Sequence, residues 1–279
     1  MTAVGLAVAV LLGRAAPAPP AAVAPPKVER TAPAAAVARL LADPGGVVAF
    51  GELHQTKATA HVRSALAQFT DEILPVVAPH AAHLIVETWV TRGTCGETEA
   101  RVTQEIERTT ERPAATESEI VKLLRRAKEL GVAPHVLDIG CDEYQQLLGG
   151  ASGEVDYDKL LKITTTHLER AIRQALALPR PPGRPLVVVY GGALHNDLYP
   201  AYTSDYAFGR AIFALTRGAY REIDLYIPAM LDATPALKVD PWFQAWASAT
   251  KRRRKGDEAA DFLVWRSPYS AILMLRRDK

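Results

Sequence analysis

Cysteine is scarce: Cys95 and Cys141 are the only two in 279 residues. That is too few for a disulfide framework or a thiolate zinc cluster, and it leaves room for one bridge between them. Net charge is equally sparse, since 33 Lys+Arg against 31 Asp+Glu leave +2. No broad positive field exists to draw in nucleic acid. Past the amino-terminal stretch no segment offers the ~18 uninterrupted apolar residues of a transmembrane helix. No serine stands in a Gly-x-Ser-x-Gly elbow, which argues against an α/β-hydrolase triad. What remains is a globular chain whose partner is a small-molecule or peptide substrate.

Proline, by contrast, is plentiful and uneven. Pro17, Pro19, Pro20, Pro25, Pro26 and Pro33 crowd a stretch in which Arg14 is the only charge before Lys27. Residues 1–30 therefore read as a leader, and 31–279 as a single domain. The apolar run 3–13, followed by Ala16-Pro17-Ala18, has the form of a signal peptide, which would send the protein to the periplasm or cell envelope. It lacks a basic start, and a disordered Ala/Pro tail on a cytoplasmic protein fits the same composition.

Four short apolar runs bounded by turn signals read as buried strands: 47–50, 84–86, 135–139 and 186–190. Helical spacing separates them. Residues 56–74 carry Val62, Leu66, Phe69, Ile73 and Leu74 on one face, with Pro75 as the expected stop. Residues 117–130 begin in a capping-box pattern at Thr116-Glu117-Ser118-Glu119, and 156–178 end at Pro179. Alternating strands and helices predict an α/β fold, a mainly parallel sheet flanked by helices on both faces. A helix over 206–217 precedes an alternating segment at 220–231 and a hairpin around Ser267-Pro268, which together predict a C-terminal antiparallel extension.

Ligands of parallel sheets bind beyond the carboxyl ends of the strands, and this rule sorts the histidines. His54, in Gly51-Glu52-Leu53-His54, and His195, in Gly192-Ala193-Leu194-His195, each follow a strand at that edge. His83 and His135 begin their strands and lie at the opposite edge, and His61 falls within the expected first helix. Glu87 directly follows the second strand, where a carboxylate must be paired, protonated or metal-bound. An ion pair with Arg92 or Arg63 is the plain alternative. Two imidazoles with Glu52 and Glu87 suit either a divalent metal (Zn, Mn or Co) held by His54, Glu87 and His195, or a metal-free general-base site. Glu52 is the candidate to activate water, and the Gly51 and Gly192 turns are candidates to admit a substrate. Asp138 is a candidate partner for a ligating histidine. Tyr190, Tyr199, Tyr202 and Tyr206 surround the second motif and suit an aromatic pocket or an iron ligand.

The chain resembles the superfamily that joins erythromycin esterases, ChaN-like haem-binding lipoproteins and TraB/Tiki metalloproteases. Gly-Glu-x-His at 51–54, Glu87 on a strand and Gly-x-x-His at 192–195 carry the resemblance. The metalloprotease branch implies metal-assisted peptide hydrolysis through His54, His195 and Glu87. The esterase branch implies His54 as general base, although it places one more residue between Glu and His. The ChaN branch implies haem binding without turnover, with a second histidine after the first, as His61 follows His54. Its Asp-Asn-Pro is replaced here by Gln55-Thr56-Lys57. The leading expectation is a hydrolase acting on a peptide or ester bond, with Glu52, His54, Glu87 and His195 at its centre. The alternative is a haem or small-ligand carrier of the envelope that uses His61, Tyr190 and Tyr199.

Overall fold

A computed structural model describes residues 25–41, 46–92, 95–149, 154–200, 203–231, 235–251 and 261–275. The stretch expected as a signal peptide lies outside these residues, as does Tyr202. The fold is α/β, built on one eight-stranded mixed sheet. Its strands are β1 (Lys27–Arg30), β2 (Gly46–Glu52), β3 (Ala81–Thr91), β4 (Ala133–Ile139), β5 (Leu186–Gly192), β6 (Tyr220–Tyr226), β7 (Phe262–Ser267) and β8 (Ser270–Met274), in the spatial order β1-β7-β8-β6-β2-β5-β3-β4. All neighbours from β8 through β4 are parallel, and β7 alone runs against its neighbours, β8 and β1.

Strand alternation builds two cores. Val48, Phe50, Leu84, Val86, Val188 and Ile223 face one side, and pack on α1 (Pro33–Leu40), the segment 65–78 and a later helix. Val47, Ala49, Ile85, Val187 and Val189 face the other side. The remaining long helices are α2 (Glu97–Thr110), α3 (Ala115–Glu129), α4 (Cys141–Leu147), α5 (Tyr157–Ala177), α6 (Gly209–Leu215) and α7 (Pro241–Lys251). Leu123 and Ala127 of α3 belong to the first core, whereas Leu168 and Ile172 of α5 and Ile212 and Phe213 of α6 belong to the second. Helices therefore cover both faces, and near-continuous apolar strands follow from burial on both sides.

Several expectations need correction. The helix expected over 56–74 is broken into a 3-10 turn at Lys57–Thr59, a short helix at Ala65–Gln68, a π segment at Phe69–Ile73 and a further turn at Leu74–Val77. Thr56 and Thr59 bond reciprocally, and Ser64 caps a fresh start by accepting from the Ala67 N–H. His61 is left in an exposed turn between the pieces. Pro75 stops nothing, because it occupies the first turn of Leu74–Val77, where no intrahelical donor is needed. At α3 the capping box does not form: the Ser118 hydroxyl donates to the Ala115 carbonyl, and Glu119 accepts from Ser64. β6 is not part of an antiparallel extension but lies between β2 and β8, parallel to both. Lys27–Arg30, the end of the presumed leader, pairs with β7 as an edge strand.

Cys95 and Cys141 form a disulfide that ties the start of α2 to the start of α4. It sits on a small cluster of Val102, Ile139, Tyr144, Leu147 and Leu160.

Candidate active site

The chain leaves β2 toward the face covered by α3, and leaves β5 toward the face covered by α6. Since β2 and β5 are neighbours, their diverging exits open a crevice at the carboxyl edge, the usual ligand position in such sheets. Glu52 and Gly192 are register partners at its floor. His54 stands two residues beyond the first and His195 three beyond the second.

Glu52 Oε1 lies 2.8 Å from His54 Nδ1, and Tyr190 donates its hydroxyl to Glu52 Oε2 at 2.5 Å. Both carboxylate oxygens are thus engaged, and Glu52 fixes the imidazole behind which it sits. A carboxylate beside Nδ1 assigns the proton to that nitrogen and leaves Nε2 as the basic atom. His195 is fixed likewise, with Nδ1 3.0 Å from the Tyr206 carbonyl and 2.8 Å from the Thr165 hydroxyl. Because a carbonyl can only accept, Nδ1 carries the proton here as well. The two Nε2 atoms then face one group: Glu87 Oε1 is 3.7 Å from His54 Nε2 and 3.8 Å from His195 Nε2. Glu87 Oε2 accepts from the Gly192 N–H at 2.6 Å.

Removal from bulk water is the largest influence on His54 and, with the nearby Arg112 charge, pushes its pKa down; Glu52 and Glu87 outweigh both and leave it raised. Burial would raise Glu87, but His195, His54 and Arg112 hold it well below the usual carboxylate range. Burial, then Glu52, keeps the Tyr190 phenol well above its ordinary value, so it remains a donor.

Glu87 owes its aim to a β-bulge. β3 and β4 are in register up to Val86 opposite Val136, then resume at Trp89 opposite Leu137, which frees Glu87 and Thr88 from the ladder. Glycine completes the cradle. A Cβ on Gly191 would lie 2.5 Å from Glu87 Oε2, and one on Gly192 2.8 Å from His54 Nε2. These glycines make room for the site's own side chains. Gly51 likewise abuts Asn196 and Asp224.

The site opens into a cleft of about 1180 Å³ with a largely apolar, aromatic lining, including Trp89, Tyr144, Tyr157, Tyr226 and Trp242. Its far wall holds a second charged group that sequence reading missed. Arg266, from β7, lies 2.8 Å from Asp197, 2.9 Å from Glu222 and 3.6 Å from Asp224. Three carboxylates share one guanidinium, and Glu222 and Asp224 are fully buried on β6. Burial pushes Glu222 up to about 7, and burial with the Glu222 charge raises Asp224 well above its ordinary value.

Four expected residues thus meet: Glu52, His54, Glu87 and His195. The others do not. His61 is exposed and away from the cleft. Tyr190 is buried against Phe69, with ring centroids 4.6 Å apart, and is spent on Glu52. Tyr199 lines the cleft, but its ring lies under the Arg266 guanidinium. Asp138 pairs with Arg92 on the exposed edge strand, and Arg63 pairs with Asp71 and Glu72, so neither arginine neutralises Glu87. His83 and His135 bond each other at 3.0 Å on the opposite edge, as expected of structural histidines. Thr165 and Arg112 went unread; nothing in their local sequence marks a helix-borne threonine or a loop arginine as part of the site.

Two imidazoles and a carboxylate are the right donor types for a divalent ion, and both tautomers present Nε2. The measured separations exceed the roughly 3.3–3.5 Å between ligands that share a tetrahedral ion. Among the described residues no three or more His, Cys, Asp or Glu close into a metal-binding group. No helix among them is long and apolar enough to cross a membrane. No family model, no curated protein and no solved structure matches the chain.

Proposed function

We propose that the protein is a hydrolase of ester or peptide bonds that uses the Glu52–His54 pair as its general base. One observation carries the reading: His54 has Nδ1 locked by Glu52 and its raised, basic Nε2 turned into a large apolar cleft. Nε2 takes a proton from a water molecule as the water oxygen bonds to the acyl carbon; on collapse the proton passes to the leaving oxygen or nitrogen. Glu87, ionised and facing both rings, stabilises the imidazolium formed on the way. His195 holds the other side of Glu87. The aromatic cleft walls would bind the apolar part of a substrate. The resemblance to the esterase and metalloprotease superfamily supports the same chemistry.

A panel of p-nitrophenyl esters and fluorogenic peptides, run on the full chain, tests it. Turnover lost by ~10²-fold or more in His54→Ala with the fold intact is the expected result. Activity unchanged in that variant would sink the reading.

A second reading is favoured by the convergence of the two Nε2 atoms on one Glu87 oxygen. Here His54, Glu87 and His195 would hold a divalent ion, which would polarise the scissile carbonyl or lower the pKa of bound water. Elemental analysis of protein purified without added metal separates the two. Stoichiometric zinc, manganese or cobalt lost in His54→Ala/His195→Ala supports the second; its absence from an active enzyme supports the first. The haem alternative is weakened by its three residues pointing to three separate places. A hemin titration with no Soret shift is the expected outcome. The Cys95–Cys141 bridge supports export to an oxidising compartment over a cytoplasmic location.

A further inference from the structure

The loop between α2 and α3 carries the cleft's other arginine. α2 ends at Glu111 in the left-handed conformation, φ 48° and ψ 31°, although Glu111 has a side chain that disfavours it. Glu111 accepts from the Lys57 N–H at 2.8 Å, which fastens this loop to the one that bears His54. Pro113, buried, fixes the next turn. Between them Arg112 is turned inward, half-buried, where it lines the main cleft with His54 and Glu87 and a small crevice with Glu52 and Glu119.

Its surroundings leave it available. Glu119 accepts from the Ser64 hydroxyl at 2.6 Å, and Glu52 is engaged by His54 and Tyr190. Arg266, the other cleft arginine, is locked among carboxylates. Among the described residues Arg112 makes no ion pair or hydrogen bond, yet its charge is felt by His54, Glu87 and Tyr190. The left-handed helix end and the bond from Lys57 together hold an unpaired cation in the cleft lining beside the base.

We propose that Arg112 is a catalytic residue that donates to the oxyanion formed when water adds to the substrate. The inference rests on the hydrolase reading above. As the water oxygen bonds to the acyl carbon and its proton moves to His54 Nε2, the carbonyl π pair shifts to oxygen. That oxygen becomes a third negative charge beside Glu52 and Glu87. The guanidinium offsets it with two N–H donors until the C=O re-forms, the bond to the leaving atom breaks, and His54 returns its proton to that atom.

The test has two arms. In the first, kcat and KM for the best p-nitrophenyl ester are measured on wild type, Arg112→Gln and Arg112→Lys. Arg112→Gln should lower kcat ~10²-fold or more, in line with loss of an oxyanion donor, while KM stays within about threefold. Arg112→Lys should recover part of the loss, and dilute guanidinium added to Arg112→Ala should recover activity. A kcat that survives Arg112→Gln, or a loss without rescue in a destabilised variant, overturns the proposal. In the second arm, calorimetry measures binding of benzylphosphonate, a tetrahedral anion. Wild type and His54→Ala should bind it about tenfold or more tightly than Arg112→Gln, the loss of roughly one charge-assisted contact. Equal binding, or none, overturns the proposal. Arginine-dependent binding without turnover of any substrate would remove the hydrolase reading and leave the anion contact standing.

Discussion

Gly191 and Glu87 occupy the same space: the Cβ that Gly191 lacks would lie 2.5 Å from Glu87 Oε2 and 2.9 Å from Glu87 Cβ. The bulged end of β3 delivers the carboxylate, and the glycine at the end of β5 lets it come in between two imidazoles. A methyl group there would press on Glu87 Cβ as well as its carboxylate, so the bulged end of β3, already free of the ladder at Glu87, must give with it. Gly191→Ala should therefore keep its fold, with near-native circular dichroism and a stability loss of ~1–2 kcal/mol. Its kcat/KM should drop ~10²-fold or more, and a normal kcat/KM would show that Glu87 has no part in the reaction.

Glu52 and His54 predict a pH profile. With its pKa raised by the two carboxylates, the imidazole is unprotonated only above its ordinary range, so kcat/KM should rise with pH to a midpoint above 6.5. Glu52→Gln leaves only a neutral, weaker acceptor for Nδ1–H and removes one raising influence. The midpoint should move down and the plateau should fall ~10–10²-fold, as for loss of a base-orienting partner. A pH–rate curve measured on both proteins decides it; an unmoved midpoint counts against the pairing.

Much of the fold was legible because burial on both faces leaves a plain mark. Residues 47–50 and 186–190 are apolar without interruption, since helices cover each side of β2 and β5. Glu52, His54, Glu87 and His195 were legible because each follows such a run. What misled was polarity hidden by pairing. Glu222 and Asp224 make 220–226 look half solvent-exposed, yet both are buried against Arg266, distant in sequence and adjacent in space. Arg112 left no mark at all, because its position depends on the left-handed turn at Glu111 and a hydrogen bond to Lys57.

The Glu222 group should make stability depend on pH. Glu222 ordinarily titrates near 4.5 and in the fold near 7. Between those values the folded chain holds a proton that the unfolded chain has released, so stability falls as pH rises from about 4.5 to 7, and the raised Asp224 and His54 act in the same sense. The decline should be on the order of 1–3 kcal/mol. Glu87 works in the opposite sense: its depressed pKa adds stability present above about 4.5 and lost as pH falls below it. Urea unfolding at pH 5 and pH 8 checks the sign, and Glu222→Gln should reduce the difference. Greater stability of wild type at pH 8 than at pH 5 would refute it.

Reducing Cys95–Cys141 should loosen the cleft as well as the fold. The bridge closes a loop of sequence separation 46, worth ~2–4 kcal/mol by restriction of the unfolded chain. Ile106 on α2 and Tyr144 on α4 line the cleft from the two helices it joins. Cys141→Ser should therefore lower the urea midpoint and raise KM several-fold while leaving kcat within about threefold. Identical midpoints for oxidised and reduced protein would show that the bridge adds no stability.

The single reversed strand, β7, has a consequence for how the chain is made. It brings in Arg266, without which the middle strand β6 would bury two acids and have no cation to meet them. Until Arg266 is in place, seating β6 beside β2 buries both acids without their cation, a costly arrangement although both strands precede residue 266. The middle of the sheet is thus completed by a strand that follows it in the chain, and β6 and β7 stand or fall together.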